Sequence, residues 1–127
     1  MSYAYLASPY SDPNPRVMED RYVRACDALN WLISRRIWTY SPVVQCHQLA
    51  VRFDLPRQID FWKSYDRAML VPAHTLFVLE IDGWTVSRGI EYEVKVAREE
   101  RIPVNILTPT NRSYQIVTSY DKERLPW

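Results

Sequence analysis

The chain has 127 residues, 47% hydrophobic and 24% charged, with a net charge of +1, enough for one domain with a buried core. That balance argues against a nucleic-acid surface, which needs a basic excess. No apolar run reaches membrane-spanning length, and the first seven residues lack the basic flank of a signal peptide, so a cytoplasmic protein is expected.

A first short buried strand is expected over residues 4–8, stopped by Pro9, with a loop over residues 10–15. Asn14 followed by Pro15 reads as a helix start, Asn as cap and Pro in the first helical position. Val17, Ala25, Leu29 and Leu32 then recur near helical spacing, so one long helix should run to about Arg36. Residues 37–41 are aromatic and β-branched and predict a second strand, ended by Pro42. Residues 43–54 show no clear period and read as an irregular loop carrying Cys46 and His47. Neither Cys46 nor Cys26, in the first helix, has metal-ligand spacing, and both read as reduced thiols.

Pro56 is expected to open a second helix that carries Ile59, Trp62, Asp66 and Met69 and stops at Pro72. Residues 75–80 form a continuous apolar run, the mark of a strand buried on both faces. A helix over about 88–101 and a strand over 104–107 follow; residues 114–120 fit a strand or a short helix. Strands alternating with helices predict an α/β fold, a single-domain Rossmann-like three-layer sandwich with a mostly parallel sheet of about five strands. Ligands of such sheets sit at the carboxyl ends of the strands. Those ends hold Ser8, Pro9 and Tyr10, the stretch from Ser41 to His47, and the stretch from Asp82 to Gly89.

The chain has only two glycines, Gly83 and Gly89, where average usage gives about nine. Both lie in one short stretch, which marks it as a place that needs backbone freedom. Gly89 sits two residues after Ser87 and four before Glu93, at the start of the last helix. Backbone N–H groups, a hydroxyl and a carboxylate are thereby gathered around one point suited to a small anion. Each member also has a plain structural reading. Ser87 could be only a helix cap. Glu93, beside the inward stripe of Ile90, Val94 and Ala97, could be a boundary glutamate favoured by the helix N-terminus. Asp66 is better placed than Asp60 to meet Glu93, and paired carboxylates suit glycosidic chemistry. His47 reads as a loop hydrogen bond or a substrate contact. Among Tyr5, Tyr10, Trp38, Tyr40 and Trp84, one or two are candidates to stack on a base.

The opening Tyr5-Leu6-Ala7-Ser8-Pro9-Tyr10 and the pattern Ser87-x-Gly89-x-x-x-Glu93 are similar to those of the nucleoside 2-deoxyribosyltransferase superfamily. Over roughly residues 4–107 the chain most resembles its nucleoside 5′-monophosphate N-glycosidases. The resemblance implies Glu93 as nucleophile at the sugar C1′, and Asp66 orienting the sugar or assisting proton transfer at the base. It implies that Ser87 and Gly89 hold the 5′-phosphate, that Tyr10 lines the sugar or base pocket, and that Arg16 and Arg21 add positive charge. Ser8, Pro9, His47 and Trp84 complete the expected substrate-binding set. No metal or cofactor is implied; the partners would be a small-molecule nucleotide and a second copy of the chain, reached through Asn111, Arg112 and Ser113. Base transfer and non-catalytic nucleotide binding are the alternatives. The chain departs from the family in replacing a Gly-rich turn with Ser8-Pro9-Tyr10-Ser11, in carrying Glu91 near the phosphate pocket, and in lacking a glycine within Val94-Lys95-Val96.

Overall fold

The computed structural model describes residues 2–118 and 125–127. Five strands, β1 (Ala4–Ala7), β2 (Thr39–Tyr40), β3 (Thr75–Leu79), β4 (Val104–Thr110) and β5 (Ser113–Thr118), form one sheet in the order β2-β1-β3-β4-β5. All neighbouring pairs are parallel except β4 and β5, which form an antiparallel hairpin. Four helices connect them: α1 (Pro15–Ser34), α2 (Pro42–Phe53), α3 (Ile59–Leu70) and α4 (Arg88–Glu99).

Every residue of β1 and β3 is buried, because helices cover both faces of the sheet. Strand alternation divides the core in two. Ala4, Leu6, Phe77, Leu79 and Leu107 pack with Ala28 and Leu32 of α1. Tyr5, Ala7, Leu76, Val78 and Ile106 pack on the other face with Leu70 of α3 and Ile90, Val94 and Ala97 of α4. Fully burying each Leu, Ile or Val contributes about 1.5–3 kcal/mol. The result is the expected α/β three-layer sandwich.

Local signals place the helix starts. Asn14 Oδ1 accepts from Arg16 N at 3.0 Å ahead of Pro15, and Ser87 Oγ accepts from Ile90 N at 3.2 Å at the head of α4. The stretch 43–54 overturns its expectation: it is helix α2, not an irregular loop. Ser41 Oγ caps Val44 N at 3.1 Å, Pro42 occupies the first position, and the helix ends at Asp54 with φ 51°. Its buried side chains Val43, Cys46, His47 and Ala50 follow helical spacing. The expected second strand shortens to Thr39–Tyr40, and the expected strand or helix near the end is strand β5. Ser119 and Tyr120 of that stretch lie outside the described residues.

The chain leaves β1 for β2 on one side and returns to β3 on the other, so β1 and β3 flank the switch in strand order. Loops leaving the carboxyl ends of these two strands diverge and open a crevice there.

Candidate active site

A cavity of about 320 Å³ occupies this crevice. Its wall takes Ser8 and Tyr10 from the loop after β1, Arg21 from α1 and His47 from α2. Ile59, Trp62 and Asp66 come from α3; Ser87, Gly89 and Glu93 come from the start of α4. Eight of the residues expected at the site are thus brought together. Three are not. Pro9 is buried beside the cavity rather than in its wall. Trp84 packs against the α3–α4 side of the core, edge-on to Trp127 with ring centroids 6.4 Å apart. Arg16 lines a separate depression with Asp20, Arg24 and Asp82.

The two carboxylates carry the chemistry. Glu93 is only 3% exposed and Asp66 6%. Glu93 Oε2, Asp66 Oδ1 and Ser8 Oγ have no hydrogen-bond partner among the described residues, although a buried polar atom left unpaired costs about 1–3 kcal/mol. Burial pushes the Asp66 carboxyl up to about 7. Burial also raises Glu93 well above the usual carboxylate range; the Asp66 charge adds to this and the Tyr5 hydroxyl offsets part of it. Two carboxyls this close to each other and this far from water hold at least one proton between them near neutral pH.

The head of α4 lines the same cavity. Ser87 Oγ is committed as acceptor to Ile90 N, while its own proton remains available. The first N–H groups of a helix have no intrahelical partner, which leaves those of Arg88 and Gly89 facing outward with the positive end of the helix dipole. The two glycines play different parts. Gly83 has φ +93°, and a Cβ there would lie 2.3 Å from the Arg21 guanidinium. Arg21 uses that space to donate from Nη1 to the carbonyls of Ser11 at 2.9 Å and Tyr10 at 3.3 Å. It therefore ties the loop after β1 to the loop after β3. Gly89 needs no left-handed backbone; a Cβ there would stand 3.7 Å from Ser87 Oγ and 3.9 Å from Glu93 Oε1. Its lack of a side chain keeps open the wall between hydroxyl and carboxylate.

Further wall is supplied by α1, α2 and the loop after β1. Tyr10 Oη donates to His47 Nδ1 at 2.6 Å, and His47 Nε2 donates to Glu19 Oε2 at 2.8 Å, the tautomer these partners require. Tyr22 stacks on the imidazole with centroids 4.4 Å apart. Burial raises the Tyr10 hydroxyl, opposed by the Arg57 guanidinium beside it. Burial likewise pushes the Cys46 thiol up, so it is neutral near pH 7 and a poor nucleophile.

Ile59 and Trp62 were not singled out as site residues from sequence, although they share one helical face with Asp66. The Trp62 ring is fixed by donation from Nε1 to the Pro56 carbonyl at 2.8 Å. The spacing of 59, 62 and 66 was the available signal. Asp60, by contrast, lies out on the surface, 3.2 Å from Lys63 Nζ. Among the described residues no group of three His, Cys, Asp or Glu side chains is placed to hold a metal ion. Nor is any helix among them long and apolar enough to cross a membrane.

No curated protein matches the chain. One family model, that of a domain of unknown function (DUF1937), matches residues 2–108, a stretch that contains every cavity residue named above. The chain belongs to this DUF1937 family.

Proposed function

We propose that the protein hydrolyses the bond between base and sugar in a nucleoside 5′-monophosphate, with Glu93 as nucleophile. The observation that carries this reading is the buried Asp66–Glu93 pair, with unpaired oxygens, in one cavity with Ser87 and Gly89 of the α4 N-terminus. A phosphate at the Ser87 hydroxyl and the N–H groups of Arg88 and Gly89 would set the attached sugar over Glu93. Attack by Glu93 on C1′ breaks the C1′–N bond and releases the base through an oxocarbenium-like transition state. Burial keeps one proton on the Asp66–Glu93 pair; held by Asp66 as Glu93 attacks, it orients the sugar by hydrogen bonding and spares Glu93 a second negative charge. Water then opens the glycosyl–Glu93 ester. A cytoplasmic homodimer or larger assembly belongs to the same proposal, drawn from the family resemblance.

The test is chromatography of ribo- and deoxyribonucleoside 5′-monophosphates, 5-substituted pyrimidines included, incubated with wild type and with Glu93→Gln. Free base is expected from the wild type, with turnover reduced by at least about 1,000-fold in the variant, and an unchanged far-UV spectrum. Near wild-type release by Glu93→Gln would remove the nucleophile from the mechanism. Intact nucleotides retained on the wild-type protein would make it a binding protein instead. A new nucleotide formed when free base is added would make it a transferase.

A further inference from the structure

We propose that Tyr10, His47 and Glu19 form a proton relay that activates the water opening the glycosyl–Glu93 intermediate. The inference rests on the glycosidase reading and assigns its second step. Displacement at C1′ by Glu93 puts the departing base, and later the arriving water, on the sugar face away from Glu93. Asp66 and Glu93 reach the cavity from α3 and α4; Tyr10 and His47 reach it from other elements, the loop after β1 and α2, with Glu19 of α1 behind them. The Tyr10 hydroxyl, in the same cavity but on a separate element, is the candidate for that step.

The relay is complete without a ligand. Both ring nitrogens of His47 have partners, at 2.6 Å to Tyr10 and 2.8 Å to Glu19. The ring is held flat by Tyr22, itself fixed by donation from Gln48 Nε2 at 2.8 Å. Tyr10 is held by Arg21 through its own carbonyl. His47 is 6% exposed while Glu19 is 62% exposed, so the chain of groups runs from the cavity to solvent.

The step balances as follows. Water oxygen bonds to C1′ while the C1′–Oε bond breaks and its electron pair returns to the Glu93 carboxylate. The water proton passes to Tyr10 Oη as the Tyr10 proton passes to His47 Nδ1. The resulting imidazolium is stabilised by the Glu19 carboxylate and releases its proton on the solvent side. The guanidinium of Arg57 favours the negative charge that Tyr10 carries in transit.

The test is rapid-quench kinetics on wild type, Tyr10→Phe and Glu19→Gln, using whichever nucleoside 5′-monophosphate the wild type cleaves. In Tyr10→Phe, steady-state base release is expected to fall about 100-fold, at least tenfold more than first-turnover release. A burst of base and a sugar phosphate ester on Glu93, seen by intact mass, should accompany it. Azide, a nucleophile with no proton to lose, should restore turnover. Glu19→Gln alters an exposed side chain, so the fold is not at issue, and it should show the same burst with a smaller loss. Parallel loss of both phases, or no burst in either variant, would reduce the three residues to a structural staple and overturn the relay alone. A wild type that cleaves no nucleotide would overturn the glycosidase reading and the relay with it.

Discussion

Gly89 separates the needs of the helix from those of the cavity. Its backbone is ordinary helix, and a methyl group would meet Ser87 Oγ and Glu93 Oε1 only at 3.7 and 3.9 Å, without a clash. Alanine is a better helix former than glycine by up to about 1 kcal/mol. Gly89→Ala should therefore melt no lower than wild type while raising KM for nucleotide, because the methyl narrows the wall where phosphate and sugar would lie. Differential scanning calorimetry beside base-release kinetics checks this; lower stability with unchanged KM would contradict it. The sequence reading assigned both glycines to backbone freedom, and that holds only for Gly83. Elsewhere the chain turns through left-handed positions without glycine, at Arg36, Asp54, Arg101 and Arg112. Glycine scarcity was thus a pointer to the right loop for a reason that was half right. The inward position of Glu93 was legible from the stripe beside it, and that of Asp66 from its place nearer the end of α3 that leads to β3. The partners of His47 were not, since Glu19 and Tyr10 stand 28 and 37 residues away along the chain.

At the level of elements, α2 shows what pattern reading loses. Ser41-Pro42 is the same cap-and-proline start as Asn14-Pro15. Pro42 reads as a strand stop, and the helical spacing of Val43, Cys46, His47 and Ala50 is broken for a pattern of apolar residues by His47. The pairing of α3 with α4 has a thermodynamic consequence. Asp66 and Glu93 have folded-state pKa values raised above the unfolded values of about 3.9 and 4.3. A carboxyl with a raised folded pKa contributes stability that is complete below its unfolded pKa and is lost as pH rises through its folded pKa. For Asp66 that window runs from about pH 4 to about 7; Glu93 extends it upward. The melting temperature should fall between pH 5 and 8, and Asp66→Asn should flatten the slope. Over the same range kcat/KM should rise, because attack needs the Asp66–Glu93 pair to have lost its first proton. A wild type that gains thermal stability from pH 5 to 8 would refute this account of the pair.

On the scale of the whole molecule, the alternation of strands and helices was enough to give the layered sheet, and the strand ends were enough to locate the cavity. The order of strands was not readable, since β3 must choose between lying beside β1 and lying beside β2, and only packing decides. The matched family stretch stops at residue 108, within β4, and β5 lies beyond it. β5 pairs along β4 from Ser113 to Thr118 and is pinned to α1, where Trp31 Nε1 donates to Ser113 Oγ at 3.1 Å and Tyr114 Oη donates to Asp27 Oδ2. At the far side of the sheet β2 has only two residues, too short to recruit another chain. Without β5, however, β4 would offer to any passing strand the edge that β5 now pairs from Asn105 to Thr110. A chain cut after residue 110 should keep its cavity residues yet associate into species larger than the full chain forms, as read by light scattering. Identical scattering from the two chains would count against it. On this account β5, outside the family stretch, is a guard against strand-to-strand aggregation.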